Sequence, residues 1–473
     1  MSDVIVRMPP SPTGLLHLGT ARAALFNWLF AKSQGGKIIF RWEDTDRERS
    51  KPEFETIILD GLKWLGMDFA AECEFYRQTE NTAVHEAHLQ KLWENGKVFP
   101  CFVTPEEIDA EREKARAEKR NFVFWSPFRD LPKAEAEARM KTDPFVWRLK
   151  TPKNEWINFK DVVRKKVSVN TDTLGDFAVA RSDGSVLYML ANVVDDATQG
   201  VTHVIRGEDH VSNTPKQILI YKACGYNVPQ FAHLPLVLDA KKRKLSKRNV
   251  EPGVAVLVSD FQKAGFVPEA VVNGLVFLGW HPKDTKQEIF SFAELEQVFA
   301  LEKVNSAGSQ YDFEKMLWFN AKWMKQLPIE KIQAYYEAFS GKKVALEVLD
   351  VARQKAKTMA DFEETFAYLL ADPGFEVERL VNERFGLTIE KSKEILAEIV
   401  AVLDGIAETD FNAAVIKDKS VEKIAELGLK NGEFLTPFRA ALSNRDASAG
   451  PFDIAAAIGK SATLSRLNRA ILA

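Results

Sequence analysis

The chain has 473 residues, 46% of them hydrophobic and 28% charged, with a formal net charge of −3. That length exceeds a single hydrophobic core, so a nucleotide-binding-sized unit plus two or more further domains is expected. The charge balance excludes a globally basic protein but not a local basic groove, and no apolar run approaches the roughly 20 residues that span a bilayer.

Met1-Ser2-Asp3 lacks the basic region and long apolar run of a signal peptide, so a cytoplasmic, reducing compartment is expected. Val4 to Met8 is a short apolar run of strand type. Pro9, Pro10, Pro12 and Gly14 then forbid regular structure through the stretch Ser11-Pro12-Thr13-Gly14-Leu15-Leu16-His17-Leu18-Gly19-Thr20. After Thr20, the spacing of Ala21, Ala24, Leu25, Trp28 and Leu29 predicts a helix with one buried face. Lys37 to Glu43 reads as a second strand, which completes a βαβ unit of about 40 residues. Ligands bind beyond the carboxyl ends of such strands, where His17, Gly19 and the run Glu43-Asp44-Thr45-Asp46-Arg47 fall.

Residues 52 to 66 read as a helix opened by Pro52, and Pro105 to Arg120 as a solvated, salt-bridged helix. His85 and His88, three apart with no third ligand, read as a surface pair rather than a metal site. Strand-like runs resume at Phe145–Leu149 and Lys166–Val169, a stretch taken as an insertion between two halves of one sheet. The second half contains the strand Val201–Arg206, the helix Pro215–Tyr221 and the run Phe231–Asp239. The basic run Lys241 to Arg248 follows. From about 320 onward the pattern is helical almost throughout. Three scattered cysteines, Cys73, Cys101 and Cys224, support neither a disulfide framework nor a zinc knuckle.

No phosphate loop of Walker type is present: Gly459-Lys460-Ser461 has Ile454 where the upstream glycine would stand, and no GxGxxG follows the first strand. Two other devices could hold phosphates. His17 and Gly19 lie at a helix amino end, where free amides and the helix dipole favour an anion. Lys247, in the loop Lys244 to Arg248, could neutralise a leaving pyrophosphate. Taken singly, the histidine is more often structural, and the basic run reads equally as a surface patch or a nuclear-localisation-like cluster. Their joint occurrence at the strand ends of one α/β unit favours phosphate chemistry.

His17-Leu18-Gly19-Thr20 resembles the "HIGH" signature of class I aminoacyl-tRNA synthetases, and Lys244-Leu245-Ser246-Lys247-Arg248 their "KMSKS" loop. Arg7 to Gly14, Trp42 to Arg47, Tyr188 to Asp196 and Ile205 to Asp209 resemble the bacterial glutamyl branch, and the similarity runs across essentially the whole chain. The resemblance implies an α/β fold: a Rossmann-type parallel sheet split by an inserted α+β domain, then a stem-contact segment and an all-α anticodon-binding tail. It divides the chain into a first catalytic half (1–75), an acceptor-end insertion (76–187), a second catalytic half (188–239), a stem-contact segment (240–320) and a helical anticodon-binding region (321–473).

The activity so implied is ATP-dependent ligation of L-glutamate to the 3′ end of tRNA(Glu) through a glutamyl-adenylate, with Mg²⁺ accompanying ATP. By motif position, His17, Lys244 and Lys247 would be catalytic. Pro10, Ser11, Thr13, Gly14, His17, Gly19, Thr20 and Lys247 would bind ATP. Arg7, Ser11, Glu43, Tyr188, Asn192 and Arg206 would bind glutamate, the arginines gripping carboxylate and Glu43 taking the α-ammonium group.

Two departures stand out. Pro9 occupies a position where relatives commonly have a small residue, and should stiffen the loop. Only Cys101 lies where some relatives carry a zinc-binding cysteine cluster, so no structural zinc and no other protein-held metal is expected. A glutaminyl enzyme would have a β-barrel anticodon part, and a tRNA-modifying glutamyl transferase would lack the tail. Charging of tRNA(Gln) stays open, with residues near Arg353 and Lys355 suggestive of an anticodon contact. A non-catalytic tRNA-binding paralogue is the alternative from a different class. A monomer with no membrane association is expected.

Overall fold

The strand–helix–strand pattern of the amino end forms as its residues dictate. β1 (Ile5–Met8) and β2 (Lys37–Trp42) run parallel in the register Ile5↔Lys37 to Met8↔Phe40, joined by the helix Leu18–Ser33. The computed structural model describes residues 4–246, 251–282 and 285–473. The helix begins three residues earlier than its apolar spacing indicated, so Gly19 and Thr20 belong to its first turn. It is also buried on nearly every side, including Arg22, Asn27 and the run Trp28 to Ala31, rather than on one face. The helix Phe292–Val298 and the residue after it account for the second cover: Phe26 meets Phe299 edge-on at 5.2 Å, and Trp28 meets Phe292 at 6.5 Å.

The turn into β2 leaves no room for a side chain. Lys37 N donates to Val4 O at 2.7 Å, and a Cβ on Gly36 would stand 2.4 Å from that same carbonyl oxygen. Because the obstacle is backbone, Gly36→Ala should shift the β1/β2 register and destabilise the fold by roughly 1–3 kcal/mol, as overpacked positions do. A lowered midpoint in thermal unfolding is the expected result.

β3 (Glu74–Arg77) adds to β2 in parallel. β4 (Val98–Cys101), β5 (Val146–Leu149) and β8 (Ala178–Arg181) form an antiparallel sheet of their own, while β6 (Trp156–Asp161) and β7 (Lys165–Asn170) make a hairpin. β9 (His203–Gly207) and β10 (Gln230–Leu234) pair in parallel. The hairpin lies within the stretch read from sequence as an insertion, 76–187. It nevertheless joins β10 through Phe231↔Asp161, giving the sheet order β7-β6-β10-β9. Thr202 ties this sheet to the first: its amide donates to Ile5 O at 2.9 Å and its hydroxyl accepts from Ile5 N at 2.8 Å. The strands thus run outward in both directions from the β1/β9 junction. Such a reversal of strand order opens a crevice at the carboxyl ends.

Pro105–Ala117 is the exposed, charged helix its composition indicated, started by a capping box between Thr104 and Glu107. His85 departs from expectation. It is 2% exposed and lies 2.7 Å from Asp195, whereas His88 is half-buried and bonds Tyr226 Oη at 2.6 Å. The apolar face of the helix Thr82–Glu94, carrying Leu89 and Leu92, draws His85 inward with it.

The chain divides into two compact units, one of Met1–Ser259 with Val272–Asp312, the other of Asp260–Val271 with Phe313–Ala473. The segment 240–320 is therefore shared between them. In the second unit, helices Ile389–Asp404, Asn431–Ser443, Pro451–Ile458 and Lys460–Leu472 bury Leu396, Ile399, Phe434, Phe438, Ile454 and Leu467. Arg466 caps three carbonyls at two helix ends, Tyr368 O and Ala371 O of one and Leu442 O of the other, at 2.7–3.1 Å. Arg353 is similarly taken up, by Leu327 O at 2.6 Å and Asp350 at 2.7 Å, and Lys355 reaches Ser448 O at 3.1 Å. Among the described residues no helix is long and apolar enough to cross a membrane.

Candidate active site

A cavity of about 480 Å³ opens beyond the carboxyl ends of β1, β9 and β10, lined by Pro9, Pro10, His17, Gly19, Thr20, Arg206, Asp209, His210, Lys244 and their neighbours. Its position follows from the two short loops that leave β1 and β9 in opposite directions. His17 takes extended backbone angles as the residue preceding the helix. Behind it the helix presents Gly19 and Thr20, whose amides have no intrahelical partner by position. A Cβ on Gly19 would meet nothing within 4 Å, so an anion can approach the first turn directly.

The His17 loop is strapped by backbone to residues that follow the basic loop in sequence. Leu18 N donates to Val256 O at 3.0 Å, and Val258 N donates to Leu16 O at 3.0 Å, so the residues just past the basic loop run antiparallel to the His17 loop. On its other side the basic loop leaves β11 (Val237–Leu238), which pairs with β12 (Ser309–Gln310). Asp239 organises the turn: its carboxylate accepts from the amides of Lys241 and Arg243 at 2.9 Å, with Lys242 left-handed at φ 60°. Lys244 then emerges with its ammonium 3.0 Å from Asp209. Burial pushes the Asp209 carboxyl up, but the Lys244 ammonium prevails and holds it below the ordinary range. Lys247, expected beside the phosphates, lies outside the described residues.

Arg22 locks the helix to the roof of the cavity. It donates to Leu278 O at 2.6 Å and to Pro235 O, and burial pushes its guanidinium down to about 10.

A second set of charges lies deeper. Arg7 is 1% exposed and donates through Nε to both oxygens of Asp196, at 3.2 and 3.3 Å. Asp196 also accepts from Arg41 Nη2 at 2.7 Å, and that nitrogen reaches Glu43 Oε1 at 3.3 Å. Asn192 donates to the same Glu43 oxygen at 2.7 Å and accepts from Gln217 at 3.0 Å; Gln217 accepts from Arg206 Nη2 at 2.7 Å. Arg7, Glu43, Asn192 and Arg206 are thus one hydrogen-bonded chain drawn from β1, the end of β2, the helix Tyr188–Thr198 and β9. Burial raises the Glu43 carboxyl against the pull of Arg41 and Arg7, and burial also raises the Tyr188 phenol, whose oxygen lies 3.3 Å from His210 Nδ1.

Arg206 differs from the other two arginines. Its hydrogen-bond partners are Gln217, Thr214, His233 and the His210 carbonyl, all uncharged, and Nη1 has no partner among the described residues. Burial pushes its guanidinium down accordingly. A buried cation with an unoccupied donor, on the wall of a cavity, is built for an anion.

Among the expected site residues, Pro10, His17, Gly19, Thr20, Arg206 and Lys244 line the cavity. Arg7, Glu43, Tyr188 and Asn192 stand behind or beside it. Ser11 is exposed, and Thr13 and Gly14 lie on the loop before His17, with Thr13 N bonded to Ser11 O at 2.8 Å. Sequence reading assigned no role to Arg41, Asp196, Gln217 or Asp209. The arginine inside an otherwise apolar strand, and paired aspartates on a buried helix, were the available signals.

Two sequence profiles match the chain: "tRNA synthetases class I (E and Q), catalytic domain" over residues 3–318, and "Anticodon binding domain" over residues 314–471. The "Glutamate--tRNA ligase" of Aquifex aeolicus is 39% identical over 456 residues, covering 94% of this chain and 93% of that protein. The "Glutamate--tRNA ligase 1" of Syntrophomonas wolfei is 36% identical over 488 residues, covering 100% and 97%. A crystal structure of a glutamate tRNA ligase from Elizabethkingia meningosepticum, in complex with its amino acid, superposes with a TM-score of 0.85 at 31% identity, covering 100% of this chain and 99% of that one. With His17 and Lys244 lining one cavity and relatives aligned end to end, the chain belongs to the glutamate--tRNA ligase family of class I tRNA synthetases.

Proposed function

We propose that this chain joins L-glutamate to the 3′ end of tRNA(Glu) in two steps at the cavity beyond β1, β9 and β10, acting as a cytoplasmic monomer. The observation that carries the reading is Arg206: buried, ringed by uncharged partners, with Nη1 left for an anion. A side-chain carboxylate satisfies it, whereas the neutral amide of glutamine would leave a buried positive charge without a counter-charge. Sites of that kind reject the uncharged isostere strongly. Glu43, anchored through its backbone amide to Pro10 O at 3.1 Å, is placed to receive the α-ammonium group, with Arg7, Ser11, Tyr188 and Asn192 around it.

In the first step an α-carboxylate oxygen of glutamate attacks the α-phosphorus of ATP. The new O–P bond forms as the bond to the β-phosphate bridge breaks, releasing pyrophosphate. In the second, a terminal ribose hydroxyl of tRNA attacks the activated carbonyl, loses its proton and expels AMP. No protein nucleophile is needed; positioning and charge stabilisation carry the rate. His17 and the first-turn amides of Gly19 and Thr20 take the phosphates, with Pro10, Ser11, Thr13 and Gly14 shaping the loop. Lys244, and Lys247 beyond it, stabilise pyrophosphate as it departs. Mg²⁺ accompanies the ATP.

Aminoacylation with radiolabelled glutamate and separately purified tRNA(Glu) and tRNA(Gln) tests this. Charging of tRNA(Glu) alone defines a discriminating enzyme; charging of both defines a tolerant tail; charging of neither, with ATP and Mg²⁺ present, overturns the reading in favour of a non-catalytic tRNA binder. His17→Ala should slow charging by on the order of 10²–10³, the usual effect of removing one donor aimed at transition-state charge. Retention of tRNA on filters should stay at the wild-type level.

A further inference from the structure

His233 on β10 is the register partner of Arg206 on β9, and their side chains meet: Arg206 Nε lies 3.2 Å from His233 Nε2. A guanidinium can only donate, so Nε2 accepts and the ring carries its proton on Nδ1. Nδ1 faces Asp161 Oδ2 at 2.6 Å. The other oxygen of Asp161 is fixed by the amides of Val163 at 3.0 Å, Arg164 at 2.8 Å and His233 at 3.3 Å. Thr214 closes the cluster, its hydroxyl 2.8 Å from Arg206 Nη2 and 3.0 Å from His233 Nε2. One edge of the guanidinium is thereby locked, on a residue that lines the cavity, and Nη1 is left without a partner among the described residues.

A buried carboxylate two side chains away from a buried arginine could have paired with it directly. Instead a neutral imidazole stands between them. A direct ion pair would satisfy Arg206 and blunt its attraction for a ligand, while the imidazole passes on orientation without cancelling charge. We propose that Asp161 and His233 form a positioning relay that fixes the orientation of Arg206 while keeping its positive charge for the side-chain carboxylate of the amino acid. This rests on the reading of Arg206 given under Proposed function. Neither residue touches substrate; both act through Arg206. The β6–β7 hairpin that supplies Asp161 is then part of the amino-acid specificity apparatus.

The relay requires a neutral His233. The groups facing the ring are Asp161 and Arg164 from β6 and its turn, Arg206 from β9 and His210 from the turn after it. Thr214 and Gln217 of the helix Thr214–Cys224 add only neutral groups. Arg164 is itself paired with Glu208, and Lys165, opposite Asp161 on β7, turns its ammonium to Val162 O at 2.9 Å. Burial, with Arg206 and Arg164, outweighs Asp161 and holds the ring below the ordinary histidine range. Protonation at acid pH would set an N–H on Nε2 against the Nε–H of Arg206 and release it.

Aminoacylation kinetics at saturating tRNA, across pH, test the relay. In the wild type KM for glutamate should rise as pH falls through the depressed His233 value, with KM for ATP flat. Asp161→Asn removes the charge that holds the tautomer, so KM for glutamate should rise about tenfold at neutral pH, the scale of a lost hydrogen bond to a charged group. Its acid limb should also move to lower pH. His233→Gln, whose amide can accept from Arg206 and donate to Asp161, should restore a near-wild-type KM and abolish the acid limb. If both variants keep the wild-type KM and pH profile while Arg206→Gln raises KM, the relay is wrong and the role of Arg206 stands. If Arg206→Gln itself leaves KM for glutamate unchanged, the substrate reading falls, and the relay with it. Equal damage to kcat and to both KM values would mark a purely structural pair and overturn the proposal.

Discussion

Replacing Arg206 by glutamine is expected to lower kcat/KM for glutamate by on the order of 10²–10⁴, while KM for ATP changes little. The magnitude follows from breaking a buried charge pair by removal of one partner, which costs roughly 3–5 kcal/mol. On the proposed reading the surviving partner is the substrate carboxylate, left facing the neutral groups of Gln217, Thr214 and His233. Arg206→Lys should recover little, because one ammonium cannot span acceptors on Gln217, Thr214 and His233 and still meet a ligand. Stability should move the other way. In the free protein Arg206 is a desolvated cation with no carboxylate among its hydrogen-bond partners, so the glutamine variant should melt at or above the wild-type temperature, as sites strained for function often do when relieved. A steady-state comparison of glutamate and ATP, with a melting curve for each variant, checks both halves. An unchanged KM for glutamate would remove Arg206 from the substrate site.

What could be read from residues alone was local. The Pro- and Gly-rich loop between two apolar runs, followed by a helical repeat, specifies a βαβ unit within a few dozen residues, and the signature loops sit where that unit ends. His17, Gly19 and Lys244 were therefore visible as members of one site. Asp161 was not, because it reaches His233 across 72 positions of sequence and belongs to a hairpin that composition alone assigns to an insertion. Arg41 was equally hidden: a strand pattern registers it as one polar interruption, and nothing in the spacing says that Asp196, 155 residues away, will meet it. The helix Leu18–Ser33 shows the same limit from the packing side. Periodicity finds the face turned to the sheet, but the second cover comes from Phe292 and Phe299, far along the chain.

Asp196→Ala should produce the largest loss of stability among single changes in the catalytic unit, about 3–5 kcal/mol. The carboxylate is 1% exposed and holds Arg7 and Arg41 at once, each itself almost wholly buried. Without it two guanidiniums face each other in a low-dielectric interior. Glu43 is already shared with Asn192, and Asp195, 3.9 Å from Arg41 Nε, is engaged by Gln78, Asn81 and His85 at 2.6–2.7 Å. Neither can take over. Asp196→Asn keeps an acceptor oxygen but not the charge, so it should fall between wild type and alanine. Because Arg7 leaves β1 and Arg41 lies on β2, the weakening should appear first as faster amide exchange across the Ile5–Met8 and Lys37–Trp42 pairing, before any change in the helices of the second unit. By contrast, Lys32→Ala removes a pair with Glu72 that is more than a third exposed on both sides, and should leave the unfolding midpoint within scatter. If Asp196→Ala proved no more harmful than Lys32→Ala, the buried chain from Arg7 to Arg206 could not be what holds the proposed amino-acid site in shape.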